Sequence, residues 1–350
     1  MPSRRSGAVV ALAVAAALSL AGCGSGSSSA TGTNSSAKAA DGAAKDSKSV
    51  ATGGKDFAAA AERTAKFGTD AKPGQWPRTI RHAMGETVIE AQPERVVVLD
   101  VGELDNVVSL GIKPVGVAYS DGSPKLPAYL KGAGSPKSVG VSSTLNLEAI
   151  AALKPDLILG SQLRAADSYD ELSQIAPTVF SIRPGFTWKE NYRLNAAALD
   201  KSARAEANLA AYQKRVTALS DKLGPDKPTV SMVRYRPEGV IRLYANYSFI
   251  GTILKDLGVP RPKNQDVNEL AVEINAENID KAGADYIFSG VYGDPGATSM
   301  SKAQGNPLWK NLKAVKEGRA YNVSDETWYL GLGVTAADSV LDDLEKYLTA

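Results

Sequence analysis

Apolar residues in this chain fall into short unbroken runs, separated by stretches in which they recur every three or four positions. Arg95–Asp100 (RVVVLD) is such a run, and its β-branched residues predict a strand covered on both faces. Glu103–Leu110 follows with helical spacing and ends at Gly111. The same reading predicts strands at Val115–Tyr119, Asp156–Leu159 and Val179–Ile182, and helices at Leu147–Leu153 and Ser168–Ala176. Ahead of them, Thr79–Ile89 predicts a hairpin turning at Met84-Gly85. Glu190–Lys222 contains no Gly or Pro, and Leu194, Ala198, Leu209, Tyr212, Val216 and Leu219 recur at close to a helical period. One long helix is expected there, with Thr187 as its N-cap and Glu190 completing a capping box. The alternation then resumes at Thr229–Arg234, Ile241–Tyr244, Phe249–Leu257, Ala284–Phe288, Lys310–Leu312 and Ala320–Val323, before a last helix over Ala336–Leu348. Such alternation predicts an α/β fold with mainly parallel sheets.

An internal repeat sharpens this picture. Asn146-Leu147-Glu148-Ala149-Ile150 followed by Pro155–Leu159 aligns without gaps with Asn275-Ala276-Glu277-Asn278-Ile279 followed by Ala284–Phe288. Leu110-Gly111-Ile112 is echoed in the same order by Leu257-Gly258-Val259. The repeat predicts two Rossmann-like α/β lobes built on one plan and bridged by the long helix.

The N-terminus has a different character. Arg4 and Arg5 precede an apolar run over Ala8–Ala21, shorter than the roughly 20 residues of a membrane span. It ends at Leu20-Ala21-Gly22-Cys23, which holds the only cysteine. From Gly24 to Gln75 the chain is rich in Gly, Ser, Ala, Thr and Lys, a composition that cannot offset chain entropy by burial. Phe57–Phe67 is expected to be at most a transient helix within it. The expected organisation is a signal peptide (1–22), a flexible tether (23–75), an N-terminal lobe (76–188), the bridging helix (189–223) and a C-terminal lobe (224–350).

Charge and residue counts remove whole classes of chemistry. With 40 basic and 38 acidic residues there is no surplus to track phosphates, so no nucleic acid is expected as a partner. His82 is the single histidine, read as a surface strand residue, so His-rich or Cys-ligated metal sites and Ser-His-Asp hydrolysis have no residues to use. Gly331-Leu332-Gly333-Val334-Thr335-Ala336 has a GxGxxA outline, but it follows no clean strand and no acidic residue stands at the required distance beyond. No enzyme is expected, and no resident metal.

The segments PERVVVLDVGELDNVVSLGIKPVGV (93–117), LNLEAIAALKPDLILG (145–160) and NLKAVKEGRAYNVSDETWYLGLG (311–333), with PRTIRHAMGETVIEAQPERVV ahead of them, resemble the iron-siderophore and cobalamin class of solute-binding proteins of ABC importers. Leu20–Cys23 resembles the lipobox of bacterial lipoproteins, whose cysteine is acylated. Within the class, the chain is similar to actinomycete lipoproteins for hydroxamate siderophores of the desferrioxamine type. The resemblance implies a class III binding-protein fold and a monomer anchored outside the cell membrane through Cys23. It also implies an ABC permease with its ATPase as partners, and no cofactor, since iron arrives within the siderophore. Glu148 and Glu277, one per lobe, are the carboxylates it implies for docking on the permease. Haem, cobalamin and ferric citrate stay open as alternative cargo.

Ligands of open α/β sheets lie beyond the carboxyl ends of the strands. Near those ends stand Tyr119, Arg164, Arg234, Arg236, Tyr244 and Tyr247, then Tyr292, Trp328 and Tyr329, with Trp188 where the first lobe enters the bridging helix. Aromatic faces and guanidinium donors suit a chelate that supplies its own iron ligands. Arg234 and Arg236 alternate with Tyr235 and should share a face. Glu103 is placed to meet an arginine or an ammonium on the ligand.

Overall fold

The structure, a computed structural model, describes residues 57–293 and 299–349; the signal peptide, Cys23 and the tether ahead of Phe57 lie outside the described residues. Strands β1 (Arg78–His82) and β2 (Gly85–Ile89) form the expected antiparallel hairpin, pairing Arg78 with Ile89 and His82 with Gly85. The first lobe is a six-stranded sheet of β3 (Val96–Val98), β4 (Gly116–Tyr119), β5 (Lys137–Val141), β6 (Thr144–Leu145), β7 (Leu157–Ser161) and β8 (Thr178–Ser181). Its order is β6-β5-β4-β3-β7-β8, and all neighbours run parallel except β6. Every residue of β3, β7 and β8 is buried, which is why these strands read as continuous apolar runs.

The second lobe is a mixed sheet of β9 (Val230–Tyr235), β10 (Ile241–Tyr244), β11 (Ala271–Ile274), β12 (Tyr286–Val291) and β13 (Ala320–Asn322), ordered β11-β10-β9-β12-β13. β9, β12 and β13 are parallel, whereas β10 and β11 are antiparallel additions. The repeat is visible in both lobes. Asn146 Oδ1 accepts from Ala149 N at 2.9 Å and Asn275 Oδ1 from Glu277 N at 3.2 Å, each opening a short helix that leads into a central parallel strand.

The expected long helix over Glu190–Lys222 is two helices, Trp188–Ala198 and Ser202–Leu223. The chain breaks at Asp200, whose φ of 56° is left-handed. No Gly or Pro marks the break; a partner distant in sequence makes it. Buried Arg78 of β1 donates to Ala197 O at 2.8 Å, a carbonyl that a helix end leaves unsatisfied, and pairs with the Asp200 carboxylate at 2.8 Å. The second helix carries the expected stripe Leu209, Tyr212, Val216 and Leu219, and binds the last helix, Val334–Leu348, through Arg215 to Asp338 and Lys222 to Glu345. Thr187 does stand at the N-cap of the first helix, but it makes no capping bond: its hydroxyl donates to Arg183 O at 2.7 Å.

Residues 57–75, expected as part of the tether, have contacts with the folded body. Phe57, 4% exposed, packs on Phe186 of the first lobe at 4.9 Å and Tyr247 of the second at 5.4 Å, beneath the Arg183 guanidinium. A helix over Ala60–Thr64 follows, and Gly68 bridges to Arg81.

The two lobes are tied by Asp105 in the helix Val101–Ser109. Its buried carboxylate accepts from Thr335 N and Ala336 N, both at 3.0 Å, and so caps the last helix from the opposite lobe. A Cβ on Gly333 would lie 2.5 Å from that of Asp105, and one on Gly331 2.2 Å from that of Ala336. The GxGxxA outline therefore serves close packing, with a carboxylate on the helix N-terminus where a phosphate-binding loop would receive its ligand.

His82 is buried in the hairpin, not exposed. Its Nδ1 accepts from Met84 N and Phe180 N, which places the proton on Nε2, facing Thr87 Oγ1 at 2.9 Å. Burial lowers its pKa to about 4. A depressed value means the folded state resists protonation, so stability present above pH 6.5 is lost as the pH falls toward 4, by up to about 3 kcal/mol. Urea unfolding at pH 7 and pH 4.5 should show a smaller acid loss in His82→Asn, whose Oδ1 replaces the Nδ1 acceptor. Equal losses in the two proteins would refute this account.

Candidate functional site

The candidate groove lies where Tyr292 of the second lobe meets Gly122 of the first, and its first wall is built at the carboxyl ends of β3, β4, β7 and β8. The chain leaves β3 at Asp100, whose Oδ1 accepts from Val101 N at 2.8 Å, starting the helix Val101–Ser109. Asp100 Oδ2 accepts from Arg164 Nε at 3.1 Å; Arg164 sits in the one-turn helix Gln162–Ala165 directly after β7 and is 40% exposed. Glu103, in the first turn of the β3 helix, is only 2% exposed, and its Oε2 has no hydrogen-bond partner. Burial, reinforced by the neighbouring Asp100 charge, pushes its carboxyl well up, which favours the neutral form of Glu103. Tyr119 ends β4, half-buried.

The other wall is cationic and aromatic. Arg234 of β9 is buried and grips Asp325 with two parallel bonds, Nε to Oδ1 at 2.7 Å and Nη2 to Oδ2 at 2.6 Å. Its Nη1 donates to Tyr244 Oη at 3.0 Å. Burial opposes ionisation of the Tyr244 phenol, but the Arg234 and Arg242 guanidiniums outweigh it and hold the phenol below its ordinary value. Arg236 shares the face of Arg234: the Tyr292 ring lies 4.6 Å from the Arg234 guanidinium carbon and 5.0 Å from that of Arg236. Tyr235, between them, points into the apolar core on the far side of the sheet. Arg242, directly across from Arg234 on β10, donates to Glu273 at 2.9 Å. Tyr329 closes the wall: its hydroxyl donates to the carbonyls of Val233 and Phe288 and its ring meets Tyr244 edge-on at 5.0 Å. A Cβ on Gly290 would stand 2.5 Å from the Tyr329 ring, so β12 must be bare there.

The walls meet at one end. Tyr292 rests on Gly122, where a Cβ would be 2.3 Å from the ring, and Glu326 holds the same loop through Ser123 Oγ at 2.8 Å and Lys125 at 3.2 Å. Arg234, Arg236, Tyr244, Tyr292 and Tyr329 thus form one cluster in the second lobe, with Arg234, Tyr244 and Tyr329 buried, while Glu103 and Arg164 gather at Asp100 in the first lobe and Tyr119 ends β4 beside them.

Three expected residues do not join them. Trp188, 1% exposed, donates from Nε1 to Thr252 Oγ1 at 3.0 Å and packs edge-on against Tyr212 and Phe249. Trp328 is fully buried, stacked on Phe288 with Nε1 donating to Asp343 at 2.8 Å. Each indole has a single donor, and once it is satisfied burial of the ring is favoured. Tyr247 stacks on Phe186 at 4.7 Å and lines, with Trp188 and Arg261, a separate cavity of about 650 Å³ that none of the groove arginines reaches. Glu148 and Glu277 are both exposed, in the first turns of the repeated helices. Asp100, Asp121, Arg242 and Asp325 are the groove residues that sequence reasoning missed. Asp100 and Asp325 carry a readable signal, standing at or one residue inside a helix start.

The sequence profile of the family described as periplasmic binding protein matches residues 94–327. The probable siderophore-binding lipoprotein YfiY of Bacillus subtilis (strain 168) is 40% identical over 287 residues, spanning 77% of this chain and 87% of its own. The Fe(3+)-citrate-binding protein YfmC of the same organism is 32% identical over 272 residues, spanning 77% and 85%. The crystal structure of Staphylococcus aureus SirA complexed with staphyloferrin B superposes with a TM-score of 0.68 at 35% identity, covering 77% of this chain and 98% of that one.

Asp325→Ala strands the Arg234 guanidinium in a buried site, which should cost about 3–5 kcal/mol. Urea unfolding measures it, and a loss below about 1 kcal/mol would show that Arg234 finds another partner or water.

Proposed function

Because this chain belongs to the periplasmic binding protein family, and is a binding protein rather than an enzyme, we propose that its groove holds a ferric siderophore for delivery to an ABC importer. The observation that carries this reading is the wall of Arg234, Arg236 and Tyr292 facing Arg164 and Asp100. A ferric chelate already saturates its metal, so its receptor contributes donors to the chelate's oxygens and flat surfaces to its linkers. Arg164 and Arg236 supply the donors, at about 1.5–3 kcal/mol per charge-assisted bond. Tyr119 and Tyr292, only half-buried, supply the surfaces, with the buried rings of Tyr244 and Tyr329 packed behind. A few such contacts are enough for nanomolar affinity, about −12 kcal/mol. Iron is cargo inside the chelate, and the receptor needs no cofactor.

The charge balance favours a ferric hydroxamate of the ferrioxamine kind. Arg164 is matched by Asp100, Arg234 by Asp325 and Arg242 by Glu273, with Glu103 pushed toward its neutral form. Among the described groove residues only Arg236 has no carboxylate partner. Such a groove suits a chelate of low charge better than a tris-catecholate carrying about three negative charges. A citrate-type chelate is the second reading, supported by the similarity to the Fe(3+)-citrate-binding protein and to SirA with staphyloferrin B. Tryptophan emission titrated with ferrioxamine B, ferric citrate, a ferric tris-catecholate and haem tests both. Submicromolar binding of ferrioxamine B, weakened about 10- to 100-fold by Arg236→Ala, is the expected result. Binding of haem alone would overturn the siderophore reading, and binding of ferric citrate alone the hydroxamate one.

Lipidation at Cys23 would hold the receptor on the outer face of the cell membrane, consistent with lipoproteins among its relatives. Glu148 and Glu277, exposed and one per lobe, are suited to dock on the permease, where paired surface carboxylates chiefly set orientation and encounter rate. The Glu148→Ala, Glu277→Ala double variant should bind chelate normally yet lose most uptake in cells. Undiminished uptake would remove these residues from docking.

A further inference from the structure

The two walls of the groove differ in sign. The first-lobe wall places three carboxyls, Asp100, Glu103 and Asp121, around the single guanidinium of Arg164. The second-lobe wall places three guanidiniums, Arg234, Arg236 and Arg242, against Asp325 and Glu273, while its third carboxylate, Glu326, is taken up by Ser123 and Lys125 of the first lobe. A ligand aligned with this field turns its negative oxygens to the second lobe and a positive group to the first.

Glu103 shows that the first wall is incomplete on its own. Its Oε2 is buried without a hydrogen-bond partner, a state that costs about 1–3 kcal/mol or more and that native folds rarely tolerate without a function. The rest of the carboxyl is engaged by its own backbone N–H and by Ser181, while Asp100 holds the first N–H of that helix, so Oε2 alone is left over. Around Glu103 stand Asp100 from the end of β3, Arg164 from the turn after β7 and Ser181 from the end of β8; Asp121 and Tyr292 act on Arg164 from farther off. Arg164 is the partly exposed cover of this pocket. Among the described residues it is held by one hydrogen bond, to Asp100.

Resting on the hydroxamate reading, we propose that Asp100 and Glu103 form a cation subsite that selects ferric hydroxamates bearing a free ammonium group. Before binding, Arg164 balances Asp100 and Glu103 keeps its proton. When an ammonium enters beside Arg164, two cations face two carboxylates and Glu103 gives up that proton to solvent. Binding of an amine-bearing chelate is thereby coupled to release of one proton, and tightens as the pH rises through the range in which Glu103 would otherwise be neutral. A chelate without the amine gains nothing from the exchange.

The experiment compares ferrioxamine B, a tris-hydroxamate with one terminal amine, with its N-acetyl derivative, which keeps the iron core and loses the charge. Both are titrated by tryptophan emission into the full-length protein and into Glu103→Gln at pH 6.0, 6.75 and 7.5. The wild type should bind the amine form at least tenfold more tightly at pH 7.5, with Kd falling up to tenfold per pH unit for that form alone. Glu103→Gln should bring the two chelates together and flatten the profile. Equal affinities in the wild type, or the same pH slope for both chelates, would overturn the subsite while leaving the hydroxamate reading intact. If neither chelate binds and ferric citrate does, the hydroxamate reading falls and the subsite with it. Should Glu103→Gln lose its thermal transition, the wild-type comparison decides alone.

Discussion

The contact on which the arrangement turns is a carboxylate of one lobe seated on the helix of the other. Asp105 accepts the two backbone N–H groups that open Val334–Leu348, and it does so without exposure to solvent. Burial pushes its carboxyl up to about 6 even with those donors, so the contact holds its charge against a substantial desolvation cost. The same first-lobe helix starts at Asp100 and carries Glu103, while the segment just ahead of Val334 carries Trp328 and Tyr329. One bond pair thus fixes the carboxylate wall relative to the aromatic wall. The paired helices Ser202–Leu223 and Val334–Leu348 run behind them as a stiff frame.

Within that frame, recognition rests on matched charge more than on charge itself. The Arg234–Asp325 fork is too well satisfied to give its guanidinium away, and it works by holding Tyr244 and Tyr292 in place. Arg236 and Arg164, less tightly held, are the donors that can turn toward a ligand. A rigid aromatic bed with a few adaptable cations limits the side-chain entropy lost on binding.

Much of the scaffold was legible in the sequence because its cause is local. The buried strands of the first sheet declare themselves as VVV and LIL runs, the hairpin as a Gly after Met84, and the two lobes as a repeated Asn-capped turn before a strand. What was not legible depends on distant partners. The break at Asp200 exists because Arg78, far away in sequence, takes a carbonyl from the helix end. Trp188 and Trp328 are held away from any ligand by Thr252 and Asp343, remote partners that satisfy their indoles. His82 looked exposed because a strand of alternating polarity does not reveal that a neighbouring strand, at Phe180, covers it. The groove arginines were visible as residues, but their neutralising partners Asp100 and Asp325 were not, and it is the partners that set the electrical character of the site.

Phe57 stands at the seam of the two lobes. Its ring is wedged between Phe186 of one half and Tyr247 of the other, under Arg183. Removing that one ring would therefore uncover an aromatic edge on each half at once.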